Sequence, residues 1–281
     1  MLSPAETVQA VSGGLDHKAK MPFISVVFLS IMAGGAISLG DIFWAHATVG
    51  IETPGAANFV GGLAFSVGLM LVVFFGGHLF TSSVLSGVST VDKKLPMSKT
   101  VSYWTIVWIF NFIGAALIAY MYYRSNLPLK YDGSILKHFV ALGAGKTSLG
   151  FEEAFIRGIF CNVFVCMAVW TAIAAKDTAG KILGMAFIIA AFVGSGYEHC
   201  VANMFIITEA LLAKAHYLAQ VGGDMHALSE LVHHVSVEKL EALNIQNFFV
   251  KNLLPVTLGN IVGGLFFVGI IGFISHKPDM K

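Results

Sequence analysis

Two long apolar runs in this chain are each interrupted at mid-length by glycine and polar residues, and no other feature constrains the fold as much. The interruptions read Gly76-Gly77-His78-Leu79-Phe80-Thr81-Ser82-Ser83 and Gly194-Ser195-Gly196-Tyr197-Glu198-His199. Backbone that leaves the helix at membrane depth must be buried in protein or line a cavity, because lipid offers its amides no partner. The two runs belong to a set of six apolar stretches, at 23–45, 57–88, 101–122, 151–175, 182–213 and 248–274. Each meets the roughly 20 residues that cross a bilayer core about 30 Å thick. With three spans to a half, both breaks fall in the second span of their half. That is the pattern of an inverted repeat, here 23–122 and 151–274, with a central site between the halves. The simpler alternative is that these glycines only let helices approach closely.

Composition identifies the solvent. Hydrophobic residues make up 56% of the 281 and charged residues 12%, about half the roughly 25% of a soluble domain. Lipid must therefore cover much of the chain. Six crossings place both termini on one side. Lys93, Lys94, Lys99, Lys176 and Lys181 crowd the short connections there, joined by Lys18, Lys20, Lys277 and Lys281 in the tails, whereas 47–56 holds no Lys or Arg. The positive-inside rule puts the termini in the cytoplasm, against the count of Arg124, Lys130, Lys137, Lys146, Lys214 and Lys239 in the opposite loops. The expected organisation is a cytoplasmic segment 1–22 forming a short surface helix, one channel domain 23–275, and a tail 276–281, in a plasma (inner) membrane. A net charge of +1 leaves no basic stripe for nucleic acid. Cys161, Cys166 and Cys200 sit in apolar runs without disulfide or zinc spacing, and no cofactor is expected.

His199 is the sharpest candidate for chemistry. Ionisable groups at membrane depth are costly and are read as functional by default, and a histidine can give a hydrogen bond or a proton to a weak acid. The competing reading is a neutral histidine bonded to a nearby carbonyl. Thr81, in the other break, can face the same point. Glu198 reads as structural, accepting freed backbone donors or pairing at a subunit contact. For Asn111, Asn162, Asn203 and Asn260 the competing reading is interhelical hydrogen bonding. Lys146 alone would be a snorkelling lysine at a helix entrance. Glu153 and Arg157 can pair on one helical face. His216, His226, His233 and His234 invite a metal reading but lack carboxylate or thiolate companions. Val237, Leu240 and Leu243 suggest instead a short amphipathic helix on the membrane surface.

Taken together these segments resemble the formate/nitrite transporter family. Gly77-His78-Leu79-Phe80-Thr81-Ser82 is similar to the loop that breaks its second helix, and 195–204 (Ser-Gly-Tyr-Glu-His-Cys-Val-Ala-Asn-Met) to its fifth-helix signature. The runs 161–166 and 252–260 are similar to its fourth- and sixth-helix motifs. The resemblance implies an all-α, aquaporin-like protomer of six transmembrane helices with broken second and fifth helices, assembled as a homopentamer with a pore in each subunit. It implies passage of small monovalent anions or their acids, with formate favoured by Phe80-Thr81-Ser82-Ser83 and nitrite, hydrosulfide, acetate or lactate as alternatives. By matching motif, His199 would be the central pore histidine and Thr81 its partner. Lys146 would draw anions into the vestibule. Leu69 and Leu79 would narrow the pore on one side of the histidine, Phe65 and Phe192 would add apolar constrictions, and Asn162 and Asn260 would be polar contacts of the pore. His78 departs from the family loop, which usually carries an acid there, so loop anchoring and pH response at that mouth are open, with Asn203 and Glu198 as further gating candidates.

The mechanism these residues suggest is electrostatic capture at Lys146, followed by protonation of the weak acid as an apolar funnel penalises its charge, by His199 or by water. The rivals are a plain anion channel, a neutral-solute channel for water or ammonia, for which paired Asn-Pro-Ala motifs are lacking here, and an intramembrane enzyme built on His199 and nearby thiols, for which no metal-ligand set is apparent and Cys200 would point to a different helix face.

Overall fold

The computed structural model describes residues 1–232 and 235–277, and among them every regular element is helical. The chain opens with α1 (Pro4–Ala19), started by a capping box in which Ser3 and Glu6 satisfy each other's backbone N–H. Its Val8, Val11 and Leu15 are buried against the bundle, so this helix is docked by one apolar face. Lys18 at its end donates to the Gly77 carbonyl at 2.8 Å.

The first half comprises α2 (Phe23–Thr48), α3 (Pro54–Phe75), the short turns α4 (Phe80–Ser83) and α5 (Gly87–Val91), and α6 (Met97–Arg124). A helix not anticipated from the sequence, α7 (Ser134–Thr147), bridges to the second half. That half comprises α8 (Phe151–Ala174), α9 (Thr178–Gly194), α10 (Cys200–Gln220) and, after α11 (Met225–Leu231) and α12 (Val237–Ala242), a last helix from Ile245 to His276. The last helix is wound in wide, π-type turns over Phe248–Leu253 and Val262–Ile270.

Five helices are long and apolar enough to cross a membrane: α2, α3, α6, α8 and the last one. The fifth expected span is present as two pieces, the apolar seventeen-residue α9 and the longer α10, because the chain leaves the helix between them. The two halves are built alike. In the first, α2 packs between α3 and α6; in the second, α8 packs between α9 and the last helix; α3 and α9 meet across the middle. Close approach is secured by small residues in both. A Cβ on Gly34 or Gly114 would collide with α6 or α2 backbone, and one on Gly158, Gly259 or Gly263 with the corresponding pair in the second half. Glycine-mediated packing thus coexists with the broken helices rather than replacing them.

Large apolar side chains such as Phe28, Phe43, Phe74, Phe160 and Phe187 are left on the outer surface of the protomer, in keeping with a membrane protein. One expectation is revised. Leu240 and Leu243 are fully buried and α12 packs on α7, so this segment lies on protein instead of on the membrane surface. His233 and His234 lie outside the described residues. Among the described residues no three His, Cys, Asp or Glu side chains are grouped to hold a metal ion.

Candidate functional site

Each break begins where the helix runs into a glycine with positive φ, Gly76 at 79° and Gly196 at 75°, a conformation in which a Cβ would be strained. The next three residues are non-helical, and their backbone groups need partners that lipid cannot give. One asparagine supplies them in each half. Asn111 on α6 accepts from the Phe80 N–H at 2.8 Å and donates to the carbonyls of His78 (2.9 Å) and Ser30 (2.7 Å). Asn260 on the last helix accepts from the Cys200 N–H at 2.9 Å and donates to the carbonyls of Glu198 (3.0 Å) and Gly158 (2.8 Å). One further amide in each break follows the same rule: the His78 N–H reaches the Leu29 carbonyl and the Glu198 N–H the Arg157 carbonyl, at 3.1 and 3.3 Å. Both asparagines are fully buried. These matching bonds make the chain an inverted repeat.

The breaks meet at His199. Its Nδ1 accepts the Ala202 N–H at 3.0 Å, and its Nε2 lies 3.0 Å from Thr81 Oγ1. Since Nδ1 is an acceptor, the ring's proton sits on Nε2, and Nε2–H is the donor aimed at Thr81. A proton added at Nδ1 would meet the Ala202 N–H head on. Thr81 is held in turn through its carbonyl, which accepts from Asn162 Nδ2 at 2.9 Å and from Cys166 Sγ at 3.3 Å. Asn162 also donates to the Asn260 carbonyl at 2.6 Å. The amides of Asn162 and Asn260 therefore hold backbone of the breaks.

The positions two residues before α4 and α10 differ in charge. Glu198 accepts from Lys146 Nζ at 2.7 Å through one oxygen, and from Asn203 (2.6 Å) and Asn252 (3.2 Å) through the other. This pair is nearly enclosed, with side-chain exposures of 12% for Lys146 and 4% for Glu198, so the lysine's charge is compensated within the fold. The equivalent residue, His78, is buried and bonds through Nδ1 to the Tyr103 hydroxyl at 3.1 Å; Tyr103 lies 3.2 Å from Ser83 Oγ. His78 Nε2 has no partner. Outside the membrane spans, burial pulls the Lys18 ammonium down to about 8.

Above His199, on the face away from the termini, opens a cavity of about 570 Å³ bordered by Asp41, Trp44, Phe65, Lys146, Phe192 and His199, among others. Phe65 and Phe192 meet edge to face with centroids 5.7 Å apart, and Phe192 is 6.0 Å from the His199 ring. Leu69, one turn along α3 from Phe65, and Leu79, in the first break, are fully buried and do not border this cavity. The structure thus gathers His199, Lys146, Phe65, Phe192, Glu198 and Asn203 at one vestibule, and Thr81 behind the histidine. Sequence reasoning missed Asp41, Trp44 and His138, which border the cavity, and Asn252. Asp41 carried the signal that singled out His199, an ionisable side chain inside an apolar run.

The family described as formate/nitrite transporter matches residues 5–274. The formate channel FocA of Haemophilus influenzae is 36% identical over 275 residues, covering 96% of this chain and 93% of that protein. FocA of Escherichia coli K12 is 32% identical, covering 99% and 96%. A solved structure described as a pentameric formate channel with formate bound superposes with a TM-score of 0.78 and 34% identity, over 91% of this chain and 98% of that one.

Proposed function

This chain belongs to the formate/nitrite transporter family, and on that premise we propose that it is a membrane channel carrying formate and similar small monovalent anions, with a proton taken up on the way. The observation that carries the reading is the Nε2–H of His199, presented with Thr81 beneath a vestibule floored by Phe65 and Phe192. Such a donor binds a carboxylate or nitrite oxygen without a fixed charge, so it selects without trapping.

The sequence of events follows from the site. Lys146, Arg157 and Lys239 border the vestibule and favour anions there. Because Lys146 is paired with Glu198, its attraction is that of an oriented pair, strong at short range and weak at a distance. Between the two phenyl rings the anion loses water, and its neutral acid becomes the favoured form. The solute then replaces Thr81 Oγ1 as the acceptor of the His199 Nε2–H while it passes toward Leu69 and Leu79, whose apolar side chains favour the uncharged acid. Asn162 and Asn260 keep the two breaks aligned with each other. As in the solved pentameric relative, the working assembly is a homopentamer, here in a plasma (inner) membrane. The lysine-rich termini lie in the cytoplasm.

Radiolabelled formate uptake into proteoliposomes with an imposed pH gradient tests this, with nitrite, hydrosulfide and lactate as competitors. Saturable, gradient-driven uptake blocked by one of them is expected. A folded pentamer that takes up no anion would overturn it.

A further inference from the structure

The vestibule contains an acid that the steps above do not use. Asp41 lies on the inward face of α2, with buried Ile37 and Ala45 one turn to either side. It borders the cavity, is 2% exposed, and its Oδ2 is buried without a hydrogen-bond partner. Beside it α2 packs closely on α3: a Cβ on neighbouring Gly40 would come within 2.7 Å of the Phe65 carbonyl. An unpaired buried oxygen of this kind is costly, and a hydrogen-bonding guest relieves it.

The groups around Asp41 are accounted for differently. From α7 come Lys146, which acts on Asp41 electrostatically, and His138; from α8, Arg157, paired with Glu153. The second break brings Glu198, held by Lys146, Asn203 and Asn252, and His199. α12 adds Lys239, and α3 only Asn58 and Phe65. Behind the cavity, α6 presents Tyr122, bonded at 2.9 Å to His46 of α2, with Glu209 of α10 within electrostatic reach of that tyrosine. Of the two acids bordering the cavity, only Asp41 has a free oxygen. His199 is badly placed to supply a proton, since Nδ1 is occupied by the Ala202 N–H and surrender of the Nε2 proton would leave an imidazolate.

We propose that Asp41 is the proton donor of the vestibule, a carboxylic acid that binds an arriving carboxylate through its O–H and transfers that proton to it. The inference rests on the channel reading above. In the step, the Asp41 O–H bond breaks and an O–H bond forms on the substrate oxygen. The electron pair stays on Asp41 as a carboxylate facing Lys146, and a proton from water in the open vestibule restores the acid. The neutral acid moves on to His199.

The test compares wild type with Asp41→Asn and Asp41→Glu in proteoliposomes, following labelled formate and internal pH together. Wild type and Asp41→Glu should acidify the interior as formate enters. Asp41→Asn should slow gradient-driven uptake by about a hundredfold, the lower range for loss of a positioned acid, and flatten its pH profile. Infrared difference spectra of the wild type on adding formate should show a carboxylic C=O band shifting as its O–H takes up the new hydrogen bond; an unchanged spectrum would sink the proposal whether or not the variants fold. Unaltered proton co-transport in Asp41→Asn would also overturn it and leave the channel intact. A wild type that moves no weak acid would remove the channel reading and this inference together.

Discussion

The two breaks solve the same backbone problem in the same way and then diverge in their side chains. In each, a glycine at positive φ ends the helix, and one buried asparagine takes three backbone groups, Asn111 for the first and Asn260 for the second. Where the first break has His78 and Leu79, the second has Glu198 and His199. The first is therefore apolar at its tip and neutral at its shoulder, while the second offers a donor at its tip and an ion pair at its shoulder. The membrane imposed what is common, since non-helical backbone must find partners there. What differs is free to be chemical, and in the second break it borders the vestibule.

The strongest way to break this comparison is to remove the asparagines. Asn111→Ala and Asn260→Ala each orphan two buried backbone groups of a break, at about 1–3 kcal/mol apiece, so each should cost about 4 kcal/mol. Thermal midpoints of the detergent-solubilised assembly would show it, and a large loss at one site with none at the other would end the claim of equivalence. Next in size is the shoulder. Glu198→Gln leaves the nearly enclosed Lys146 without its carboxylate, a loss of about 3 kcal/mol for a broken buried pair. His78→Gln removes one neutral contact with Tyr103 and should cost about 1 kcal/mol. Equal effects in unfolding experiments would contradict the difference drawn here.

The smallest effect sharpens the first break from outside. Lys18, which donates to the Gly77 carbonyl, is pulled from its ordinary 10.5 to about 8 by burial. The unfolded chain then holds that proton more tightly than the folded one between those values. Linkage makes stability rise with pH across the window from about 8 to 10.5 and leaves it flat below. Lys18→Met should lack that rise, as read from melting midpoints at stepped pH; a variant with the same slope would refute the assignment.

How much of this could be read beforehand depended on whether a signal was local. The breaks, His199, Thr81, Lys146 and Glu198 stood out because each is a polar residue or glycine pair in an apolar context. Asn111 and Asn260 were visible as polar residues, but their partners lie at least 31 residues away in the chain, a distance no periodicity spans. α7 was missed because its fourteen residues mix apolar and polar positions too evenly to separate from a loop. Leu240 and Leu243 showed an apolar face but could not say whether protein or lipid would cover it. Asp41 obeyed the rule that found His199, yet it sat in a span with no glycine break to draw attention.

Asn162 gives the repeat a history. Four residues after Ser30 and Gly158, the carbonyls that receive the two asparagines, stand Gly34 in the first half and Asn162 in the second. Gly34 has no room for a side chain against Asn111, whereas Asn162 reaches into the opposite half and grips Thr81. The halves have thus ceased to be interchangeable parts. Two copies of the first would lack the strut, and two copies of the second would lack the threonine hydroxyl that meets His199. If a duplicated gene once encoded equals, this contact is where each copy came to depend on the other being different.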